Sequence, residues 1–232
     1  DKEEQEKRCN PQLADTDGDG TLDGEELRKD THCQFSDSDG DGLSDNVEAL
    51  IGTDPNNSDT DGDDLSDGDE FLGYLFGPGG QPVETSPLKR DTDDDEVDDD
   101  VELNRKHPDT GVSEPTNPNN PDSDGDGLMD GPERDLGTNP WQPHTDGDGL
   151  NDGDEVSGFE ITINGAVVLV SADPKLEDTD GDGLTDSEEI EGFRIAVGDE
   201  RRLVQTDPDN KDTDGDGIDD PTEQGGSAFA GF

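Results

Sequence analysis

A twelve-residue pattern recurs eight times in the chain, beginning at positions 15, 37, 59, 91, 122, 144, 178 and 212. The steps between copies are 22, 22, 32, 31, 22, 34 and 34 residues. Self-similarity at such spacings marks a tandem array, in which each unit contacts mainly its neighbours. The second copy reads Asp37-Ser-Asp39-Gly-Asp41-Gly42-Leu43-Ser-Asp45-Asn-Val-Glu48. Acidic oxygens fall at loop positions 1, 3, 5, 9 and 12, with Gly at 6. This is the ligand spacing of an EF-hand-type calcium loop.

The chemistry explains the spacing. Calcium takes about 6–8 oxygen ligands at roughly 2.4 Å, and a short chain supplies that many only by curling around the ion. Side chains at 1, 3 and 5 point inward from one winding segment. Gly at 6 permits the sharp turn. Position 7 offers its carbonyl, and Glu at 12 returns to bind through both oxygens. The expected ligands are Asp15, Asp17, Asp19, Thr21, Asp23 and Glu26 in the first copy. In the second and third they are Asp37, Asp39, Asp41, Leu43, Asp45, Glu48 and Asp59, Asp61, Asp63, Leu65, Asp67, Glu70. The fourth and fifth supply Asp91, Asp93, Asp95, Val97, Asp99, Glu102 and Asp122, Asp124, Asp126, Leu128, Asp130, Glu133. The sixth gives Asp146, Asp148, Leu150, Asp152 and Glu155. The last two give Asp178, Asp180, Asp182, Leu184, Asp186, Glu189 and Asp212, Asp214, Asp216, Ile218, Asp220, Glu223. About eight calcium sites are expected.

Three copies depart from the pattern. The third has Asp64 in the Gly place, a residue that tolerates the left-handed region; the fourth has Glu96 there, a worse fit. The sixth starts with His144, and imidazole suits calcium poorly. That site is expected to be weaker, or to use water at one vertex.

Composition agrees with folding on metal. The 232 residues include 67 acidic and 15 basic ones, a net charge of −52, and only 23% are hydrophobic. Such a chain resembles a disordered one and cannot bury a large oily core. Nucleic-acid binding is excluded because phosphate contacts need clustered Lys and Arg. An anionic bilayer is excluded for the same reason. The longest apolar run, 166–170, is far below the ~20 residues that span a membrane. Nor do His32, His107 and His144 share triad spacing with a nucleophile, so no enzyme is expected. The chain begins at Asp1 rather than Met and is read as a processed or excised segment.

The linkers leave no room for entering helices. Ten residues often separate the loops, with Pro and Gly among them, and one or two helical turns at most follow each Glu. Position 7, not 8, is apolar in seven copies, which disfavours a paired EF-hand sensor. Five residues before most loops stands a polar residue: Asn10, Asp54, Ser86, Asn117, Asn139, Asp173 or Asp207. Pro follows and Thr usually precedes. This residue either opens a turn or gives one more oxygen to the preceding loop's ion. Longer linkers begin with Glu-x-x-Gly-aromatic at Glu70, Glu155 and Glu189 and lead into expected β-hairpins near 71–85, 156–172 and 190–205. The middle one turns at Asn164-Gly165, the others near Gly77-Pro-Gly-Gly80 and Gly198-Asp199. Residues 1–8 form a charged extension, 9–223 the array and 224–232 an apolar tail. Cys9 and Cys33 sit at equivalent junctions around the first loop, where a disulfide would staple the amino-terminal repeat. The expected fold is a mostly irregular array of calcium loops with few helical turns and about three hairpins, an elongated solenoid-like rod without a large core.

The Asp-x-Asp-x-Asp-Gly-x-x-Asp repeats resemble thrombospondin type 3 repeats, in the form found in bacterial and archaeal surface proteins, over about residues 9–223. Glu at position 12 departs from thrombospondins, which often carry Asp there. The Asp178–Glu189 loop, the Glu-x-x-Gly-Phe exit and Asp207-Pro208 are also similar to the calcium-binding segment of binary-toxin protective antigens. In those relatives two calcium ions share loop carboxylates, and the Asp before a downstream Pro completes the second. That resemblance implies second ions completed by Asp54, Asp173 and Asp207, and by Asn117 and Asn139 through amide oxygen, up to two ions per loop. No pore-forming region is visible, so toxin activity is not implied.

The function expected is that of an extracellular or cell-surface calcium-binding structural rod or spacer. The alternative is calcium-dependent adhesion to another surface protein, or end-to-end assembly with itself into a fibre. A calcium buffer is the third reading.

Overall fold

The computed structural model describes residues 9–75, 82–104, 116–197 and 200–224. The charged extension, the apolar tail, the turns near Gly77 and Gly198 and the Glu223 side chain lie outside the described residues. The chain divides into two units, Asp1–Pro121 and Asp122–Phe232, each carrying four loops.

Every loop leads into one short helix that starts at position 9. Unit one contains α1 (Asp23–Lys29), α2 (Asp45–Ile51), α3 (Asp67–Leu72) and α4 (Asp99–Asn104). Unit two contains α5 (Asp130–Leu136), α6 (Asp152–Ser157), α7 (Asp186–Glu191) and α8 (Asp220–Gln224). The expected turn therefore does not follow the Glu but contains it. Acidic residues crowd the first turn of each helix in turn, where the helix dipole favours them. Isolated helices of five to seven residues are unstable in water, so the loops must hold these in place.

The three linkers opened by Glu-x-x-Gly each carry a two-stranded antiparallel sheet: β1 (Tyr74–Leu75) with β2 (Pro82–Val83), β3 (Phe159–Ile163) with β4 (Ala166–Val170), and β5 (Phe193–Val197) with β6 (Glu200–Val204). In the middle hairpin Phe159 pairs with Val170 and Ile163 with Ala166. Asn164 and Gly165 both have positive φ, 52° and 80°, as a two-residue turn of this hand requires. The Gly of the exit signature has a steric cause. A Cβ on Gly158 would lie 2.8 Å from the Val170 oxygen, and one on Gly192 2.4 Å from that of Val204.

The interior is unusual. Nine apolar side chains are buried among the described residues, against eighteen carboxylates. Glu26, Glu48, Glu102, Glu133, Glu155 and Glu189 are 0% exposed. Cys9 and Cys33 form a disulfide with Cα atoms 5.4 Å apart. No helix of the described residues is long and apolar enough to cross a membrane.

Candidate metal centres

Each loop is wound by its own carboxylates. In the second, Asp37 Oδ1 accepts the Gly40 N–H at 2.6 Å and its Oδ2 accepts that of Gly42 at 3.1 Å. Asp39 Oδ1 accepts from Asp41 N–H, and Asp41 Oδ1 from Leu43 N–H at 2.7 Å. Asp37 thus folds the backbone with both oxygens, while Asp39 uses Oδ1 and keeps Oδ2 buried without a partner. Asp64 and Glu96 take φ of 80° in the Gly place, and their N–H groups bond Asp59 and Asp91 as Gly does elsewhere. Both loops keep their path.

Position 9 behaves differently from a simple ligand. Asp45 Oδ1 accepts the Ser38 N–H and its Oδ2 the Ser38 hydroxyl, each at 2.8 Å. The same pair joins Asp23 to Thr16, Asp67 to Thr60, Asp99 to Thr92, Asp130 to Ser123, Asp152 to Thr145, Asp186 to Thr179 and Asp220 to Thr213. The Asp45 N–H also reaches back to the Ser36 carbonyl at 2.8 Å. Position 9 closes its own loop like a clasp.

The result is a pocket of oxygens. Asp15, Asp17 and Asp19 offer atoms within 4.8 Å of one another, as do Asp37, Asp39 and Asp41, and Asp59, Asp61 and Asp63. Buried oxygens without a hydrogen-bond partner line it: Oδ2 of Asp39 and both carboxylate oxygens of Glu48 in the second loop, Oδ2 of Asp180 and Asp182 and Oε2 of Glu189 in the seventh. Unpaired buried charge costs several kcal/mol per ion. Burial therefore pushes the position-12 carboxyls up, helped by neighbouring Asp charges: Glu26 to about 7, Glu48, Glu70 and Glu189 to about 8, Glu133 and Glu155 to about 9. A hard divalent cation removes that penalty, and an all-oxygen donor set fits calcium.

The residues before Pro stand in turns. Asp54 Oδ1 accepts the Asn56 N–H at 3.1 Å, and Asn117, Asn139, Asp173 and Asp207 make the same bond two residues on. The Thr before them carries a role that sequence reading missed. The hydroxyls of Thr85, Thr116 and Thr206 donate to Oε1 of Glu70, Glu102 and Glu189 at 2.9–3.0 Å, orienting the Glu from behind. Its recurrence was the available signal. Ala172 stands in this place after the sixth loop; both Glu155 oxygens lack a partner, as do those of Glu26 and Glu48, where the Thr31 and Thr53 hydroxyls are present but unpartnered. His144 also alters that loop, because its Nδ1 hydrogen-bonds the Leu150 carbonyl expected to face the ion. The last loop is the most open, with Asp216 exposed.

The family model of the bacterial TSP3 repeat matches residues 37–58, 122–143, 145–157 and 178–191. The chain carries bacterial TSP3 repeats. TSP3, the thrombospondin type 3 repeat, is a calcium-binding structural repeat rather than a catalytic one, and the matched segments hold the second, fifth, most of the sixth and the seventh loops. The third TSP3 match begins one residue after His144. These matches do not extend to binary-toxin protective antigens. No curated protein and no solved structure matches the chain.

Proposed function

We propose that this chain is an extracellular calcium-binding structural rod or spacer, folded and stiffened by its ions. One observation carries the reading: fully buried Glu side chains recur loop after loop, and both oxygens of Glu26, Glu48 and Glu155 and Oε2 of Glu70, Glu133 and Glu189 have no hydrogen-bond partner. The described residues bury twice as many carboxylates as apolar side chains and need cations to stay folded, so ion-binding free energy becomes folding free energy. Each divalent ion adds two charges, and eight would bring −52 to −36. The extracellular setting is supported by the Cys9–Cys33 disulfide and by the millimolar calcium that such modules use.

The test is removal of the metal. Chelation is expected to abolish the helical circular dichroism and expand the chain in solution scattering, and calcium to restore both. Unchanged spectra and dimensions would overturn the reading. A second reading, adhesion or self-assembly, is favoured by the exposed Val167, Leu169 and Leu203 on the hairpins. Calcium-dependent sedimentation as fibres would support it over a spacer.

A further inference from the structure

We propose that the sixth loop takes a borderline transition cation of the zinc class in preference to calcium, held by His144, Asp146 and Glu155. This site goes beyond the calcium reading, which rests on the other loops. The sixth loop fits calcium badly. In the seven other loops the position-1 Asp accepts two backbone N–H groups. His144 accepts neither; its hydrogen bond among the described residues joins Nδ1 to the Leu150 carbonyl. Calcium therefore loses a carboxylate at position 1, and the position-7 carbonyl meets an imidazole N–H instead of an ion. A cation that takes about 6–8 oxygens is poorly served.

The backbone still keeps the path that brings the donors together. Gly147 and Gly149 have φ of 88° and 105°, against 80° and 99° for Gly125 and Gly127 in the fifth loop. The Asp148 N–H donates to Asp146 Oδ1 at 3.0 Å, and the Leu150 N–H to Asp148 Oδ1 at 2.7 Å. In the first three loops this path gives positions 1, 3 and 5 atoms within 4.8 Å of one another. His144 stands at position 1 of the same path, beside Asp146 and Asp148.

The remaining donors suit a smaller, softer ion. A carbonyl only accepts, so Nδ1 of His144 carries the proton and Nε2 keeps its lone pair. That is the usual state of a metal-bound imidazole, whose other N–H is held by a carbonyl or carboxylate. Glu155 is 0% exposed with neither oxygen partnered, and Asp146 Oδ2 is also buried without a partner. Asp148 has less to give, since its Oδ2 already accepts the Ser187 N–H at 2.9 Å. One imidazole, two carboxylates and a water make a four-coordinate set for zinc. Imidazole is a donor that zinc favours and calcium does not. Ala172 replaces the Thr that backs the closing Glu of the third, fourth and seventh loops, so no such hydroxyl stands behind Glu155. The family match also breaks here, ending at 143 and resuming at 145.

The test uses the full chain in millimolar calcium, with zinc at a buffered micromolar free concentration as the probe. Both metals are counted after gel filtration in the same buffer. Wild type is expected to retain one zinc per chain. His144→Asp, which restores the residue of the other seven loops, is expected to retain none. His32→Gln should retain zinc as wild type does. No zinc on wild type, zinc retained by His144→Asp, or an equal loss from His32→Gln would overturn the proposal. Should His144→Asp fail to fold, X-ray absorption at the zinc edge of the wild type decides. The outer-shell scattering of an imidazole supports the site, and an all-oxygen shell refutes it. A chain that binds zinc at His144 but no calcium would refute the functional reading and leave this site standing.

Discussion

At the residue scale, the same side chain does two things in these loops. Asp39 bends the backbone with Oδ1 and keeps Oδ2 buried without a partner, while Asp37 at position 1 bends it with both oxygens. The acidic spacing was legible in the sequence. The clasp was not, because a position-9 carboxylate reads as one more ligand until its Thr or Ser partner is seen. The partner occupies position 2 in all eight copies, so the information was present. Thr206→Val removes the hydroxyl behind Glu189. It should weaken calcium binding at that loop by roughly 10-fold, in the lower range of ligand-orienting partners, measured by competition with a chromophoric chelator. The raised carboxyl groups set a pH dependence. Folded values of about 7 to 9 against 4.5 for an ordinary Glu mean that the metal-free fold holds more protons than the unfolded chain. Their contribution to metal-free stability is full below about 4.5 and is lost as pH rises through 7 to 9. The chelated chain should therefore show more helical signal at pH 4 than at pH 9 by circular dichroism; the opposite order would contradict the burial of these groups.

At the element scale, sequence reading found the hairpins and the missing entering helices but placed the helical turn too late. Periodicity cannot fix a helix of two turns whose first residues are also loop residues. The helix starts at position 9 because that N–H is bonded backward to the residue before the loop, leaving the next N–H groups free to meet the preceding repeat. Gly68 and Gly153 are the tightest points of that contact. Gly68→Ala should lower the unfolding temperature of the calcium-loaded chain, at a cost of about 1–3 kcal/mol typical of overpacking. Asn46→Ala, which loses the bond to the Asp19 carbonyl across the repeats and the local bond from the Ser44 hydroxyl, should cost about 1 kcal/mol. Differential scanning calorimetry of both variants separates steric docking from hydrogen bonding. The junction of the first two repeats is stapled as well. Replacing Cys9 and Cys33 by Ser opens a loop of 24 residues in separation and should cost about 3 kcal/mol in thermal stability, with calcium content unchanged.

At the scale of the whole molecule, composition alone describes a disordered chain, and the proposed ligation confines that description to the metal-free state. Among the described residues the nine buried apolar side chains are too few to form a large core. The acidic loop residues lie close along the chain, so their spacing is legible in the sequence. The docking of one repeat on the next was not legible, because contacts such as Asp41 to Gly68 join residues 27 apart. The central claim is that calcium ligation, in place of an apolar core, holds this fold. Hydrogen exchange at the position-9 amides tests it most directly, since each of these N–H groups in the described clasps is bonded only when its loop is closed. With saturating calcium the amides of Asp45, Asp67, Asp152 and Asp186 should exchange slowly, and with excess chelator at pH 7.4 as fast as in an unstructured peptide. Protection that survives chelation would show that the protein holds its fold without the ions, and would contradict the account.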